Sequence, residues 1–264
     1  MAAPNTAYMQ WRHFDETSHS TSHLLRSTGI HTPYEFRHCS YAKTLGAIVR
    51  VRYFYSQDIM FKELINRNFR KPRGLIGRYI IKTLKKNQIE YDEMESLLRL
   101  HKDDIVLEIG YGLGKGIYDY SKNYDCTFHG IDFSRLMYSK ALRLNHEDVK
   151  LGKVILLHAD FDSYSFENET FHCIYFLNVI YFWDEIQSRL KKIFSILKQN
   201  GKVIIFMADA EYFKDIKQPA GETIFYRHSI EDVIKEMGNI GFKTIETIEH
   251  TKERKCYYLI GYKK

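Results

Sequence analysis

Ile105-Val106-Leu107-Glu108-Ile109-Gly110-Tyr111-Gly112-Leu113-Gly114-Lys115-Gly116 passes from a short apolar run, through an acid, into glycines at alternate positions. Such a run predicts a buried strand that turns sharply into a helix, because glycine lets the backbone bend and lets a ligand approach without meeting a side chain. Comparable apolar runs follow at Thr127–Ile131, Val154–Leu157, Cys173–Leu177 and Val203–Met207, separated by longer amphipathic stretches. Near-continuous apolar strands alternating with helices predict a parallel sheet covered on both faces. Phe242–Ile248 and Cys256–Tyr262 are joined by the charged turn Glu249–Lys255, too short for a crossover helix, so an antiparallel hairpin is expected at the end.

The spacing of the glycines excludes the commonest ligands of such a loop. A dinucleotide fingerprint wants Gly at the first, third and sixth positions, but Lys115 or Ile117 takes the sixth place. No Gly-Lys-Ser/Thr follows, so a phosphate loop is also excluded. Glu108 would repel a pyrophosphate and attract an ammonium or sulfonium. Asp132 ends the second strand 24 residues after Glu108, where a carboxylate can accept both hydroxyls of a ribose. Asp160-Phe161 ends the third strand, in a place suited to an exocyclic amine and a purine face. These three acids fall on one rim of the sheet, and the ligand they imply has an amino group, a ribose and an adenine but no phosphate.

On these residues the sequence resembles the class I S-adenosylmethionine-dependent methyltransferases over residues 100–264. Glu108 to Gly114 matches their acid-x-Gly-x-Gly-x-Gly motif, Asp132 their ribose acid, and Asp160-Phe161 their adenine-edge pair. Asn178-Val179-Ile180-Tyr181 looks like the segment after their fourth strand, and Leu197 to Lys202 like their turn into the fifth. That turn departs from the usual Pro-Gly-Gly, with Gln199-Asn200-Gly201 in its place, a change of turn geometry more than of chemistry. Phe69-Arg70-Lys71-Pro72 through Gly77 looks like the start of small bacterial members of the methyltransferase domain 11/25 kind. The resemblance implies an α/β, Rossmann-like fold: a seven-stranded, mostly parallel sheet with an antiparallel last strand, plus an N-terminal helical cover. It implies S-adenosyl-L-methionine as cofactor, bound by Glu108, Gly110, Tyr111, Gly112, Gly114, Asp132, Phe133, Asp160, Phe161 and Asn178.

Methyl transfer is an in-line displacement at a carbon activated by a positive sulfur, so the protein mainly positions two partners and excludes water. Tyr111, Tyr181 or Trp183 is a candidate aromatic face for the sulfonium, worth about 0.5–2 kcal/mol, whereas Phe182 is assigned to packing. Tyr181 is the catalytic candidate, orienting the acceptor or taking its proton. Val179-Ile180 stands where amide and nucleobase methylases have two prolines, which disfavours nucleobase amines. A small-molecule acceptor is therefore expected, with an RNA acceptor or a non-catalytic cofactor-binding scaffold as the alternatives.

Composition divides the chain of 264 residues and net charge +6. Residues 1–59 hold one Lys against five Arg, and residues 60–264 hold 23 Lys against ten Arg. Residues 1–59 are read as an N-terminal extension, with disorder expected at its Ser/Thr/His-rich beginning, and Met60 as a candidate functional start. Residues 60–102 are read as a basic helical lid, since Arg67 to Lys86 supplies eight cations and no acid. Residues 103–264 are read as the methyltransferase domain that the resemblance implies. The four cysteines are far apart, suggesting neither a metal site nor a disulfide framework. Met1-Ala2-Ala3-Pro4-Asn5 lacks the apolar core of a secretory signal, and no run of about 20 apolar residues is present. A cytoplasmic monomer or homodimer without integral membrane contact is expected.

Overall fold

The computed structural model describes residues 88–213, 225–251 and 255–264. The extension 1–59 and the basic run Arg67–Lys86 lie outside the described residues. In chain order the elements are α1 (Gln88–Leu98), β1 (Ile105–Ile109), α2 (Lys115–Asn123), β2 (Thr127–Asp132), α3 (Arg135–Leu144), α4 (His146–Lys150) and β3 (Val154–His158). They continue with β4 (Phe171–Leu177), a 3-10 turn (Ile180–Phe182), α5 (Ile186–Ile196), β5 (Leu197–Ala208), a second 3-10 turn (Ala210–Phe213), α6 (Ile230–Ile240), β6 (Lys243–Thr251) and β7 (Cys256–Tyr262).

The strands form one seven-stranded sheet in the order β3-β2-β1-β4-β5-β7-β6. β1 runs parallel to β2 and β4, β2 to β3, and β4 to β5, whereas β7 is antiparallel to both β5 and β6. This is the expected mostly parallel sheet with a reversed last strand. Its centre is dry: Val106 and Leu107 of β1, Ile174 to Phe176 of β4 and Val203 to Ile205 of β5 have no exposed surface. That explains why these runs are continuous in apolar residues instead of alternating.

Helix positions follow from apolar spacing and caps. α5 buries Ile186, Leu190, Ile193 and Ile196, one face of a helix. Ser134 caps α3 by accepting the Met137 N–H, and Ser229 caps α6 by accepting the Asp232 N–H. α1 belongs to the packed body although its sequence was grouped with the cover. Met94 and Leu98 are fully buried, Lys202 of β5 donates to Leu97 O at 2.9 Å, and Tyr258 of β7 donates to Glu90 O at 2.8 Å. Among the described residues, no helix is long and apolar enough to cross a membrane.

The atypical turn falls within the first residues of β5, as an irregularity in its pairing with β4, and is accommodated by its own residues. Asn200 adopts φ 65, a left-handed conformation that Asn tolerates, and its N–H donates to Lys263 O at 2.7 Å. A Cβ on Gly201 would lie 2.8 Å from Lys198 O and 3.0 Å from His172 O, both backbone atoms. Gly201→Ala is therefore expected to destabilise the protein by about 1–3 kcal/mol. Gly238, inside α6 with nothing within 4 Å of its Cβ position, is expected to gain about 0.5–1 kcal/mol on change to Ala. Urea unfolding of the two variants beside the parent checks both signs.

Candidate active site

The strand order reverses between β1 and β4, and the carboxyl ends of the strands around such a reversal form a crevice. The glycine loop lies there. Gly110, Gly112 and Gly114 have φ of 72, 52 and 70, which other residues rarely adopt. The Cβ position of Gly112 meets nothing within 4 Å, so this is the open face of the loop. Gly114 is closed instead: a Cβ there would lie 2.7 Å from Ala141 Cβ and 2.9 Å from Asn145 Nδ2, so α2 can start only against α3 with glycine at its cap.

Asp132, at the end of β2, ties this loop in place. Its Oδ2 accepts the Gly112 N–H at 3.0 Å and its Oδ1 accepts the Ser134 N–H at 2.7 Å. The side chain is buried, and a carboxylate at a strand end is the kind of acceptor that a ribose hydroxyl requires. Phe133 follows, half-buried.

Glu108 is 1% exposed, with Tyr91 of α1 donating to Oε1 at 3.1 Å and Tyr175 of β4 donating to Oε2 at 2.9 Å. Burial pushes its carboxyl up to about 7; the two phenol hydrogen bonds oppose that rise and the charge of Asp132 adds to it. Sequence reasoning missed both tyrosines. Tyr175 sits directly opposite Glu108 in the β1–β4 pairing and follows from strand order, but Tyr91 has no local signal.

Asp160 is exposed at the end of β3, and its Oδ1 accepts the Asp162 N–H at 2.9 Å. The loop that carries it is held from α5: Lys192 donates to the carbonyls of Phe161, Tyr164 and Asp162, and Arg189 pairs with Asp162 and Asp184. Phe161 is buried and stacks on Trp183, ring centroids 6.2 Å apart.

Asn178 holds a left-handed φ of 59 just after β4; its N–H donates to Phe206 O at 3.1 Å, and its Oδ1 accepts from the Tyr181 hydroxyl at 3.4 Å. The neighbouring Val179 touches the glycine loop, because a Cβ on Gly110 would lie 2.6 Å from Val179 Cγ2. The structure thus brings the glycine loop, Glu108, Asp132 and the Asn178 segment together, with Asp160 in the loop after the adjoining strand β3.

The aromatic candidates for a sulfonium face are placed otherwise. Tyr111, Tyr181 and Trp183 are 1%, 3% and 6% exposed. The Tyr111 hydroxyl donates to Leu157 O at 3.1 Å, and its ring fills the space beside Gly130. Trp183 packs between Phe161 and Phe176. Tyr181 accepts the Ala208 N–H, so its hydroxyl is a brace between the ends of β4 and β5. In this arrangement the three rings pack in the core. Phe182 lies 5.5 Å from the Phe225 ring, as packing requires. Cys173 is buried, and burial pushes its thiol up to about 12, which makes it a poor nucleophile.

A cation bearing a ribose fits these residues: the open face at Gly112 admits it, Asp132 places a carboxylate beside that face, and Glu108 supplies an acid beneath the loop. Residues 106–201 match the family model described as a methyltransferase domain. The chain is 25% identical over 164 residues, 60% of its length, to phosphoethanolamine N-methyltransferase 2 of Caenorhabditis elegans, and spans 37% of that relative. Among solved structures, phosphoethanolamine N-methyltransferase 2 of Haemonchus contortus in complex with S-adenosyl-L-methionine superposes with TM-score 0.55 at 22% identity, covering 63% of this chain and 39% of that one. A SAM-dependent methyltransferase of Aquifex aeolicus superposes with TM-score 0.57 at 18% identity, covering 71% and 98%. The chain therefore spans well under half the length of the phosphoethanolamine methyltransferases it matches.

Asp132→Ala is expected to weaken S-adenosylmethionine binding by about 1.5–3 kcal/mol, roughly 10- to 150-fold, by calorimetry. Gly112→Val is expected to abolish binding by filling the open face of the loop. Glu108→Gln keeps the size of the side chain but cannot ionise. With the folded carboxyl near 7 and the ordinary value 4.5, the parent loses stability as pH rises between those values. The variant should match the parent at about pH 4 and exceed it by about 3 kcal/mol at pH 8 in denaturant unfolding.

Proposed function

We propose that this chain, which carries a class I S-adenosylmethionine-dependent methyltransferase domain, transfers the methyl group to a small-molecule acceptor, with a phosphorylated amine as the leading candidate. The observation that carries this reading is the Asp132 carboxylate drawn against Gly112 at the reversal of the sheet, beside the open face of the loop. The cofactor, when bound, supplies a methyl carbon made electrophilic by a positive sulfur. Asp132 accepts the ribose hydroxyls, Asp160 accepts from the adenine amine, and Glu108 provides negative charge under the loop. Asn178, set by its left-handed backbone and by the Tyr181 brace, lines the side from which an acceptor approaches. Tyr181 is accordingly a positioning residue in this reading, and proton removal is left to water or to the acceptor itself. The names of the relatives from Caenorhabditis elegans and Haemonchus contortus support an amine acceptor bearing phosphate.

The test is to incubate the protein with methyl-labelled cofactor and phosphoethanolamine, and in parallel with a metabolite extract and with total RNA. Label in phosphoethanolamine or another small molecule is the expected result. Label confined to RNA, with binding that falls steeply as salt rises, would replace the small-molecule reading. Cofactor binding without transfer to any acceptor would make the chain a scaffold.

A further inference from the structure

Glu108 is enclosed by phenols. Tyr91 and Tyr175 each hold one of its oxygens, the Tyr91 and Tyr120 rings meet edge to face at 6.4 Å, and the Tyr120 and Tyr175 rings lie 5.7 Å apart. Tyr91 is itself pinned: Tyr120 donates to its carbonyl at 2.7 Å, and its ring fills the place of a Gly116 Cβ, 2.5 Å away. Among the described residues, the ionisable groups that bear on the carboxyl are Tyr91 on α1 with Glu90 beside it, Tyr111 in the loop, Tyr120 on α2, Asp132 on β2 and Tyr175 on β4. None of these carries a positive charge. The lysines of α2 pair elsewhere, Lys115 with Asp119 at 2.6 Å and Lys122 with Asp148 at 2.8 Å.

A carboxylate enclosed in this way is costly, and a proton or an arriving cation relieves the cost. A phenol serves both states, since it donates to the carboxylate and, rotated, accepts from the neutral acid. We propose that Glu108 is a proton-exchange site for cofactor binding: its acid proton passes to solvent as the cationic cofactor arrives, and Tyr91 and Tyr175 are positioning residues that steady the carboxylate left behind. The exchange balances. S-adenosylmethionine carries an ammonium, a sulfonium and a carboxylate, so one net positive charge enters and one proton leaves. A carboxyl raised by burial to about 7 places the exchange in the physiological range. The inference rests on the reading of this rim as the cofactor site and adds to it a stoichiometry and a pH dependence.

Titration calorimetry of the whole chain with S-adenosylmethionine, in buffers of different ionisation enthalpy, counts the protons directly. Release approaching one proton is expected near pH 6, about half near pH 7 and none by about pH 9, with Kd rising roughly tenfold for each unit below 6. Glu108→Gln should bind without releasing a proton and with a flat pH profile. Tyr91→Phe should shift the release curve to higher pH, weaken binding several-fold at pH 6–7 and leave it within about twofold of the parent at pH 9. A purely structural loss would weaken binding equally at every pH, and that result would remove Tyr91 from the proposal. Parent protein that binds without proton release, or a Glu108→Gln variant that releases as much as the parent, overturns the exchange alone. Absence of binding at every pH overturns the cofactor reading and the exchange with it.

Discussion

The Asp132 carboxylate is the joint on which the site depends. It takes one N–H from the glycine loop after β1 and one from the cap of the helix after β2, so a single side chain fixes two crossover connections relative to each other. Each connection is short and tightly bent, and each would otherwise leave a backbone donor without an acceptor, at a buried position for Ser134 and a half-buried one for Gly112. The left-handed glycines allow the bend; the aspartate makes it stay. The open face at Gly112 and the acceptor oxygens of Asp132 then lie next to each other because they are bonded, and not because of any longer-range packing. The resulting crevice carries the chemistry expected of a ribose-binding rim.

Below this joint lies a second constraint of a different kind. The sheet centre is wholly apolar, and the Glu108 side chain enters it from β1. Two hydroxyls from opposite sides of the chain, one on α1 and one on β4, meet its oxygens. A buried acid in that setting is a poor contributor to stability at neutral pH, and a cation bound above it would offset that cost. The α5 side chains Lys192 and Arg189 play the corresponding part for the loop after β3, gathering carbonyls and carboxylates that would otherwise be loose at the rim.

The strands were legible because the central ones are buried on both faces, so that Val106-Leu107, Ile174-Tyr175-Phe176 and Val203-Ile204-Ile205 stand out without any alternation. The final hairpin was legible because the few residues between its two strands, Lys243–Thr251 and Cys256–Tyr262, leave no room for a helix. The loop and its acids were legible because their spacing is local to strand ends. What sequence could not convey is non-local. Tyr91 reaches Glu108 across 17 positions and Tyr175 across 67, and only the β1–β4 pairing places the latter. The same limit applies to the packing of the aromatic residues. Tyr111 and Trp183 stand beside the motif in sequence, which makes them look like faces for a ligand, yet Leu157 O, Gly130 and the Phe161 and Phe176 rings draw them into the core. Tyr181 lies where the resemblance puts a catalytic group, but the Ala208 N–H and Asn178 occupy its hydroxyl. The packing of α1 was illegible for a similar reason: its apolar residues Met94 and Leu98 are few, and only the sheet beneath them shows that they are core.

The central claim is that the cofactor sits on the loop that Asp132 fastens. Amide hydrogen exchange of the full chain, with and without saturating S-adenosylmethionine, reads this without substitution and without an acceptor. Slowed exchange confined to Gly110–Gly114, Asp132–Ser134 and the segment from Asp160 is the predicted result. Bound cofactor that leaves the Gly112 and Ser134 amides unchanged while protecting a region away from this rim would contradict it.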